Sequence, residues 1–266
     1  MKPNNCFLAM FDVIGFKALS DELGTDGLYK MYKRGIQPMI EHSAAGKGKT
    51  ITRGDKKVHV PDFSEISVNY KIISDSIILY TNDDSFDSFI DIINSSSKLL
   101  QSGFAGLKAP YRGAIAHGDL IDDHQGTYIG SAVEDAYIGE SSQVWAGCML
   151  TKTCSEFVVS NDYINKYETT LLAYHLVETD EKKKESLLLE TNRITKYDTP
   201  MQRNPKTGPI EYFLESHYVL DWTLNMYQDA SSMSFKYSDN SHAKLIKENT
   251  VIFEKWAREN NRKTSP

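Results

Sequence analysis

The order of elements in this chain predicts an α+β fold of the ferredoxin-like βαββαβ kind, an antiparallel sheet flanked by helices, with further strands and a helix after it. Three observations carry that expectation. A short apolar run, Cys6 to Phe11, closes on Asp12 and Gly15; two β-rich runs meet at Ser74-Asp75; and a helical stripe separates that pair from a fourth β-rich run, Tyr111 to Leu120.

Cys6 to Phe11 reads as a buried strand whose end delivers Asp12 into a turn opened by Gly15. A helix is expected from there to about Met39. Residues from His42 to Asp62 read as a solvated basic loop; Gly46-Lys47-Gly48-Lys49-Thr50 within it lacks the first glycine and the preceding strand of a phosphate-binding loop. The runs Ile66 to Ile73 and Ser76 to Tyr80 predict a hairpin with Asp75 at its tip. Phe86, Phe89, Ile90, Ile93 and Leu100 then fall on one stripe at helical spacing behind an Asp/Ser cap, which predicts a helix packed on the core. In the strand from Tyr111 to Leu120, Gly113 and Gly118 allow close backbone approach. Gly126 to Ile129 is a short strand candidate, and Gly130 to about Cys148 reads as a helix with small residues at Ser131, Ala132, Ala136 and Gly139. Beyond it Phe157 to Ser160, Leu171 to Val177 and Ile210 to Leu220 are strand-like, and Glu181 to Glu185 is a charged turn. A last helix over about 241–260 is expected to show Leu245, Ile252, Phe253 and Trp256 on one side.

Composition sets the class. A chain of 266 residues with 40% apolar and 25% charged residues is long enough for one domain, 1–266, here a core over about 5–160 and a C-terminal elaboration over about 161–266. A net charge of −6 offers no general attraction to nucleic acid or to anionic membrane, so neither is an expected partner. Three cysteines without a CxxC pair fit buried thiols in a reducing compartment, and the polar break at Asp12 leaves no expectation of a signal peptide or membrane span; the expected location is cytoplasmic.

The βαββαβ plan puts the end of the first strand beside the tip of the hairpin, bringing Asp12 and Asp75 within reach of a common cation. Asp is also a common helix cap and turn former, so either residue alone would carry no chemistry. Together, two carboxylates with no cation would repel. Two divalent ions shared between them would activate an attacking oxygen and neutralise departing phosphates, and hard oxygen ligands suit Mg²⁺ or Mn²⁺. Ile14, Gly15 and Phe16, between strand and helix, are placed to offer N–H groups to phosphate oxygens. Lys17 reaches phosphate or faces water. Arg112 contacts a triphosphate or pairs with an acid. His117, beside Gly118, reads as a packed strand residue.

These motifs carry a resemblance. Phe11-Asp12-Val13-Ile14-Gly15-Phe16 and Lys71-Ile72-Ile73-Ser74-Asp75 resemble the two metal motifs of class III nucleotide cyclases, Tyr111 to Gly118 resembles the strand that follows, and Gly126 to Gly130 the entry to the dimer-contacting helix. The resemblance spans about Cys6 to Leu150. It implies metal positions at Asp12, Val13 and Asp75, base-reading positions at Lys71 and Thr127, and a late phosphate-binding lysine at Lys206. The chain departs from the pattern at Glu134 and Ile138, where an asparagine and an arginine are expected. Gly130, Ala132, Ala136, Tyr137 and Glu140, followed by Trp145 and Gly147, are similar to the bacterial pyrimidine cyclases of Pycsar antiphage systems, as is Tyr218-Val219-Leu220-Asp221-Trp222. That similarity implies a homodimer making cyclic UMP or cyclic CMP from a nucleoside triphosphate for a separate effector protein, with Glu140 and Trp145 setting helix and dimer packing. Three other readings stand beside it: an adenylate cyclase, a catalytically silent nucleotide-binding module, and a metal phosphohydrolase, the last disfavoured by the lack of a histidine-carboxylate cluster.

Overall fold

The computed structural model describes residues 2–44, 48–54, 56–61, 67–104, 110–191, 193–204, 209–224 and 241–264. At its centre lies strand β1 (Asn4–Val13), whose side chains alternate between two cores: Phe7, Ala9, Phe11 and Val13 face one, Cys6, Leu8 and Met10 the other. A strand buried on both faces reads as a continuous apolar run, and this one does.

Helix α1 (Phe16–Met31), a π-helical turn at Tyr32–Ile36 and α2 (Gln37–Ala44) follow. Next come a separate hairpin of β2 (Gly48–Arg53) and β3 (Lys56–Pro61), then β4 (Asn69–Ile73) and β5 (Ser76–Tyr80). Helix α3 (Phe86–Ser102) starts where the Ser85 side chain accepts from the Ser88 N–H. After it run β6 (Tyr111–Asp122), β7 (Tyr128–Ile129), α4 (Ser131–Ser142) and β8 (Cys148–Leu150). The remainder is α5 (Lys152–Ser160), α6 (Tyr163–Val177), α7 (Glu181–Glu190), β9 (Ile194–Arg203), β10 (Glu211–Leu220) and α8 (Ser241–Thr264). The sheet order is β4-β5-β1-β6-β8-β10-β9, with β7 on β6. Its pairings are antiparallel except β6 with β8. The mixed α+β, βαββαβ plan is therefore the observed one, and the C-terminal strands extend the same sheet.

One face carries the large core, with α2, α3, α5, α6 and α8 on it. On the other, α4 lies against β1 and β6 through Ala132 and Ala136. That approach needs glycine at two points. A Cβ on Gly118 would stand 2.5 Å from Ser131 Oγ and 2.9 Å from the Ala132 nitrogen. Gly130 holds φ 155, and a Cβ there would lie 2.0 Å from the Asp119 carbonyl oxygen.

Several expectations are corrected. Phe157 to Ser160 and Leu171 to Val177 are helical, because Thr151 caps α5 by accepting from Cys154, and Tyr163, Ile164, Tyr167 and Leu171 repeat at helical spacing toward the core. Over runs this short, apolar content does not separate a buried helix face from a strand. The charged turn at Glu181 opens α7, where Asp180 accepts from the N–H groups of Lys182 and Lys183. The expected basic loop contains the β2–β3 hairpin, so the Gly48 to Thr50 backbone is laddered against β3; Gly46 and Lys47 lie outside the described residues. Ile66, the expected start of β4, lies outside them too. Helix α4 ends at Ser142, where Gln143 turns to extended backbone, rather than near Cys148. On α8, Phe253 is buried and Trp256 packs partly buried against the core, but Ile252 is exposed, and Ala243, Ile246 and Thr250 take the inner face instead. The three cysteines are free and buried. Among the described residues, no helix is long and apolar enough to cross a membrane.

Candidate active site

The register of β1 fixes the first carboxylate: Asp12 stands opposite Ser76 on β5 and Arg112 on β6. The tight β4–β5 turn fixes the second. Ser74 takes a positive φ of 57°, and the Asp75 carbonyl accepts from the Val13 N–H at 3.2 Å, which pins the turn to the end of β1. The turn thereby sets Asp75 next to the end of β1, and burial raises the Asp12 carboxyl above its usual range, with the Asp75 charge adding to it and Arg112 opposing.

Arg112 is the counter-ion on this floor. Its Nη2 lies 3.6 Å from Asp12 Oδ2, its Nε donates to Glu140 Oε1 at 2.6 Å, and its Nη1 donates to the Gln143 carbonyl at 3.0 Å. Of the two roles weighed for it, the acid pairing is the one observed, and Arg112 also lines the cleft. Glu140, buried on α4, is pushed up to about 7, first by burial and then by the charges of Asp12 and Asp75, with Arg112 opposing. It therefore belongs to the site's charge network. Trp145 is a core residue, its ring 4.6 Å from that of Phe253.

Above this floor opens a cleft of about 490 Å³, lined by Asp12, Ile14, Gly15, Lys17, Arg112 and His242 among others. Gly15, in left-handed conformation at φ 79°, is the N-cap of α1, and no side chain caps the first turn. The amides of that turn are the N-terminal donors a helix leaves unused. Ile14 corrects the expectation: its N–H is already given to the Pro110 carbonyl at 3.0 Å, so it has no amide left for phosphate. Phe16 packs partly buried against the core, so only its amide faces this role. Lys17 is exposed at the rim, and Val13, which is buried, has only its carbonyl to offer a cation.

Lys71 and Thr127 lie elsewhere in the chain. The Lys71 ammonium sits 5.7 Å from the Tyr128 ring centre, and the Thr127 N–H donates to Asp123 Oδ1 at 2.9 Å, so the two positions share a neighbourhood on the β4–β7 side. Neither lines the Asp12 cleft. Lys206 lies outside the described residues. His117 is packed as expected, stacked on Phe157 and 3.1 Å from Asp84.

Three contributors escaped the sequence reading. His242, at the start of α8, walls the cleft, and burial with the Arg112 charge holds its imidazole below the ordinary range. It arrives there because α8 is docked by Thr250 accepting from the Ala146 N–H and Asn249 donating to the Val144 carbonyl, each at 2.8 Å. Asp21 lines the same cleft one turn along α1. Tyr32, in the π-helical turn behind the carboxylates, is pushed up to about 12 by burial and by Asp75 and Asp12. His242 and Tyr32 are remote from the motifs in sequence, Asp21 follows the first motif on α1 without a pattern of its own, and the π-helical turn has no residue signature that would have exposed Tyr32.

No family model matches the chain, and no curated protein matches it. Solved structures similar to it include the guanylyl cyclase domain of the RhoGC fusion protein from the aquatic fungus Blastocladiella emersonii, at 12% identity over 59% of this chain and 86% of that one, TM-score 0.44. The catalytic core of a rhodopsin-guanylyl cyclase with converted specificity, in complex with ATPαS, is similar at 10% identity over 82% of this chain and 96% of that one, TM-score 0.48. An adenylate/guanylate cyclase/hydrolase from Silicibacter pomeroyi follows at 13%, 83%, 99% and 0.39. At these values the likenesses assign no residue, substrate or activity to this chain.

Proposed function

We propose that this chain is a metal-dependent nucleotidyl cyclase that converts a pyrimidine nucleoside triphosphate, UTP ahead of CTP, to the 3′,5′-cyclic monophosphate and pyrophosphate, as a second-messenger synthase of antiphage defence acting through a separate effector. The observation that carries the cyclase reading is the placement of Asp12 at the end of β1, with the Asp75 turn hydrogen-bonded to the next residue, at the uncapped N-terminus of α1. The pyrimidine preference and the defence role rest on the sequence resemblance of Gly130 to Gly147.

The donor set fits a divalent cation. The Asp75 charge adds to what raises the Asp12 carboxyl, a cost that a cation removes. Among the described residues no group of three His, Cys, Asp or Glu forms a closed metal cage. An open pair suits Mg²⁺ or Mn²⁺, which keep waters and substrate phosphates as ligands. Two such ions, held by Asp12, the Val13 carbonyl and Asp75, would supply charge neutralisation at the attacking and leaving oxygens.

The residues of the chain do the rest. The first-turn amides of α1 and Lys17 hold phosphate oxygens, and Arg112 adds positive charge from the sheet floor. The 3′-oxygen attacks the α-phosphorus, the bond from that phosphorus to the bridging oxygen breaks, pyrophosphate leaves, and the hydroxyl proton passes to water. Lys71 and Thr127 read the base. Because they do not line the Asp12 cleft of their own chain, we place them across from the Asp12 cleft of a second copy, so that a homodimer completes the site.

The test is incubation with each of the four ribonucleoside triphosphates and Mn²⁺, with products identified by mass spectrometry, followed by competition of UTP against ATP. Cyclic UMP as the dominant product is expected. Filling a pocket with apolar contacts alone discriminates about 10- to 200-fold, and an unpaired polar reader raises that further. Cyclic AMP as the main product would return the chain to the adenylate cyclases. No cyclic product from any of the four favours the silent nucleotide-binding module, a reading supported by Glu134 and Ile138, both exposed on α4, in place of the asparagine and arginine.

A further inference from the structure

Away from this site, helices α3 and α6 and the α7–β9 junction enclose a second cleft of about 390 Å³. Its volume falls within the range of small-molecule sites. Ile90, Asn94 and Lys98 come from one face of α3, and Leu171 and Tyr174 from α6. At its inner end stands Arg193, whose side chain is only 6% exposed. Glu190 Oε2 takes two of its donors: Nε at 2.5 Å, and Nη2. The third nitrogen, Nη1, is buried without a hydrogen-bond partner among the described residues.

That arrangement is unusual for a structural ion pair. A guanidinium sealed in the fold is normally satisfied at every nitrogen, because a buried donor left unpaired forfeits its hydration for nothing. A second cation, Lys98, lines the same cleft, and crowding by the cleft walls together with the Arg193 charge holds its ammonium below the usual lysine range. Against Lys98 and Arg193 stands one lining carboxylate, Glu190, so the lining side chains carry one net positive charge. Around these groups the walls are the side chains of Ile90 and Leu171 and the ring of Tyr174.

We propose that this cleft is a binding site for a small organic monoanion, a carboxylate on an aliphatic or aromatic body. The carboxylate accepts from Arg193 Nη1 and pairs with Lys98, while its body lies against Ile90, Leu171 and Tyr174. A nucleoside triphosphate is the wrong occupant, since its several negative charges would meet a single net positive one. The site is separate from the catalytic cleft and stands or falls without the cyclase reading.

The experiment uses phenylacetate as the probe, phenethyl alcohol as its uncharged counterpart and inorganic phosphate as the anion without an apolar body, each titrated into the full chain by calorimetry. Saturable binding of phenylacetate is expected, with the alcohol and phosphate at least about tenfold weaker, since hydrogen bonds to charged groups are the stronger class. Because an Arg193 variant could fail to fold, the variants are Lys98→Met, expected to weaken phenylacetate about tenfold, and Thr170→Trp, expected to fill the cleft and abolish binding, both checked for native melting by circular dichroism. The proposal is overturned by no saturable binding of phenylacetate, by phosphate or the alcohol binding as tightly, or by folded variants that bind like the parent.

Discussion

Replacing Glu140 by glutamine gives the most quantitative test of the charge network under the site. The Glu140 side chain is 7% exposed, so its interactions are little screened, and its carboxyl rises from an ordinary 4.5 to about 7. A raised acid holds its proton better in the folded state than in the unfolded one. Its contribution to stability is therefore fully present below 4.5 and is lost as pH rises through about 7. At about 1.4 kcal/mol per pH unit, this single group removes roughly 2–3 kcal/mol of unfolding free energy between about pH 5 and about pH 8. Urea unfolding at those two pH values, in chelator and at fixed protein concentration, measures it. The parent should lose roughly 2–3 kcal/mol more stability across the interval than Glu140→Gln does, with Asp12, raised in the same direction, adding a fall common to both. Equal pH dependence in parent and variant would refute the assignment. Adding Mg²⁺ should shrink the fall in the parent, because a cation on Asp12 and Asp75 cancels two of the charges that raise Glu140. An unmoved curve would count against the cation site without any appeal to activity.

Other outcomes follow from the same geometry. Asp12→Ala and Asp75→Ala should each abolish cyclisation while leaving a folded protein, with melting in chelator unchanged or raised, since each removes one of two neighbouring negative charges; substantial Mn²⁺-dependent turnover in either would sink the two-ion reading. Tyr137 and Ile138 are 60% and 52% exposed on α4, and if this face meets a second copy, Ile138→Glu should convert a dimer to monomer in sedimentation and remove activity with it. Gly130→Ala should destabilise by about 1–3 kcal/mol in thermal unfolding, because a Cβ would strike the Asp119 carbonyl oxygen and φ 155 disfavours any side chain.

What was legible in the sequence was whatever sat at the end of a strongly patterned element. Asp12 closes a run of buried residues and Asp75 tips a hairpin of β-rich strands, so local pattern alone brought them together once the βαββαβ order was recognised. The glycines at 113 and 118 were also readable, since a strand glycine signals close approach, and a Cβ on Gly113 would lie 2.2 Å from the Phe11 ring. Elements past Leu150 were harder. α5 and α6 carry Val, Ile and Thr in short stretches, where strand and helix periods cannot be separated, and tertiary burial of one helical face outweighs β propensity there. β8, with three residues, is too short to show any period. The cleft wall supplied by His242 depends on α8 docking over the segment Gln143 to Gly147, a contact between distant parts of the chain for which periodicity holds no record.

The departure at Glu134 and Ile138 takes on a different weight once Arg112 is located. In the resembling enzymes positive charge for the transition state is expected from this helix; here both side chains point out to water, and the cation nearest the paired aspartates rises from the sheet. Arg112 does not depend on Asp12 for its position. It is held by Glu140 at 2.6 Å and the Gln143 carbonyl at 3.0 Å, two anchors that persist if a metal ion takes over Asp12, and its remaining Nη2 is the nitrogen nearest the carboxylate. A guanidinium fixed at two corners, with its third facing the cleft, is preorganised for a phosphate oxygen at little cost in side-chain entropy. Under the proposed cation site Glu140 then has a reason to be acidic and buried: it would anchor the arginine with the aspartates occupied. Arg112→Lys would keep the charge but lose the fork that makes both anchor contacts, and so should be nearly as damaging to turnover as Arg112→Ala, whereas a role in bulk charge alone would let lysine rescue it.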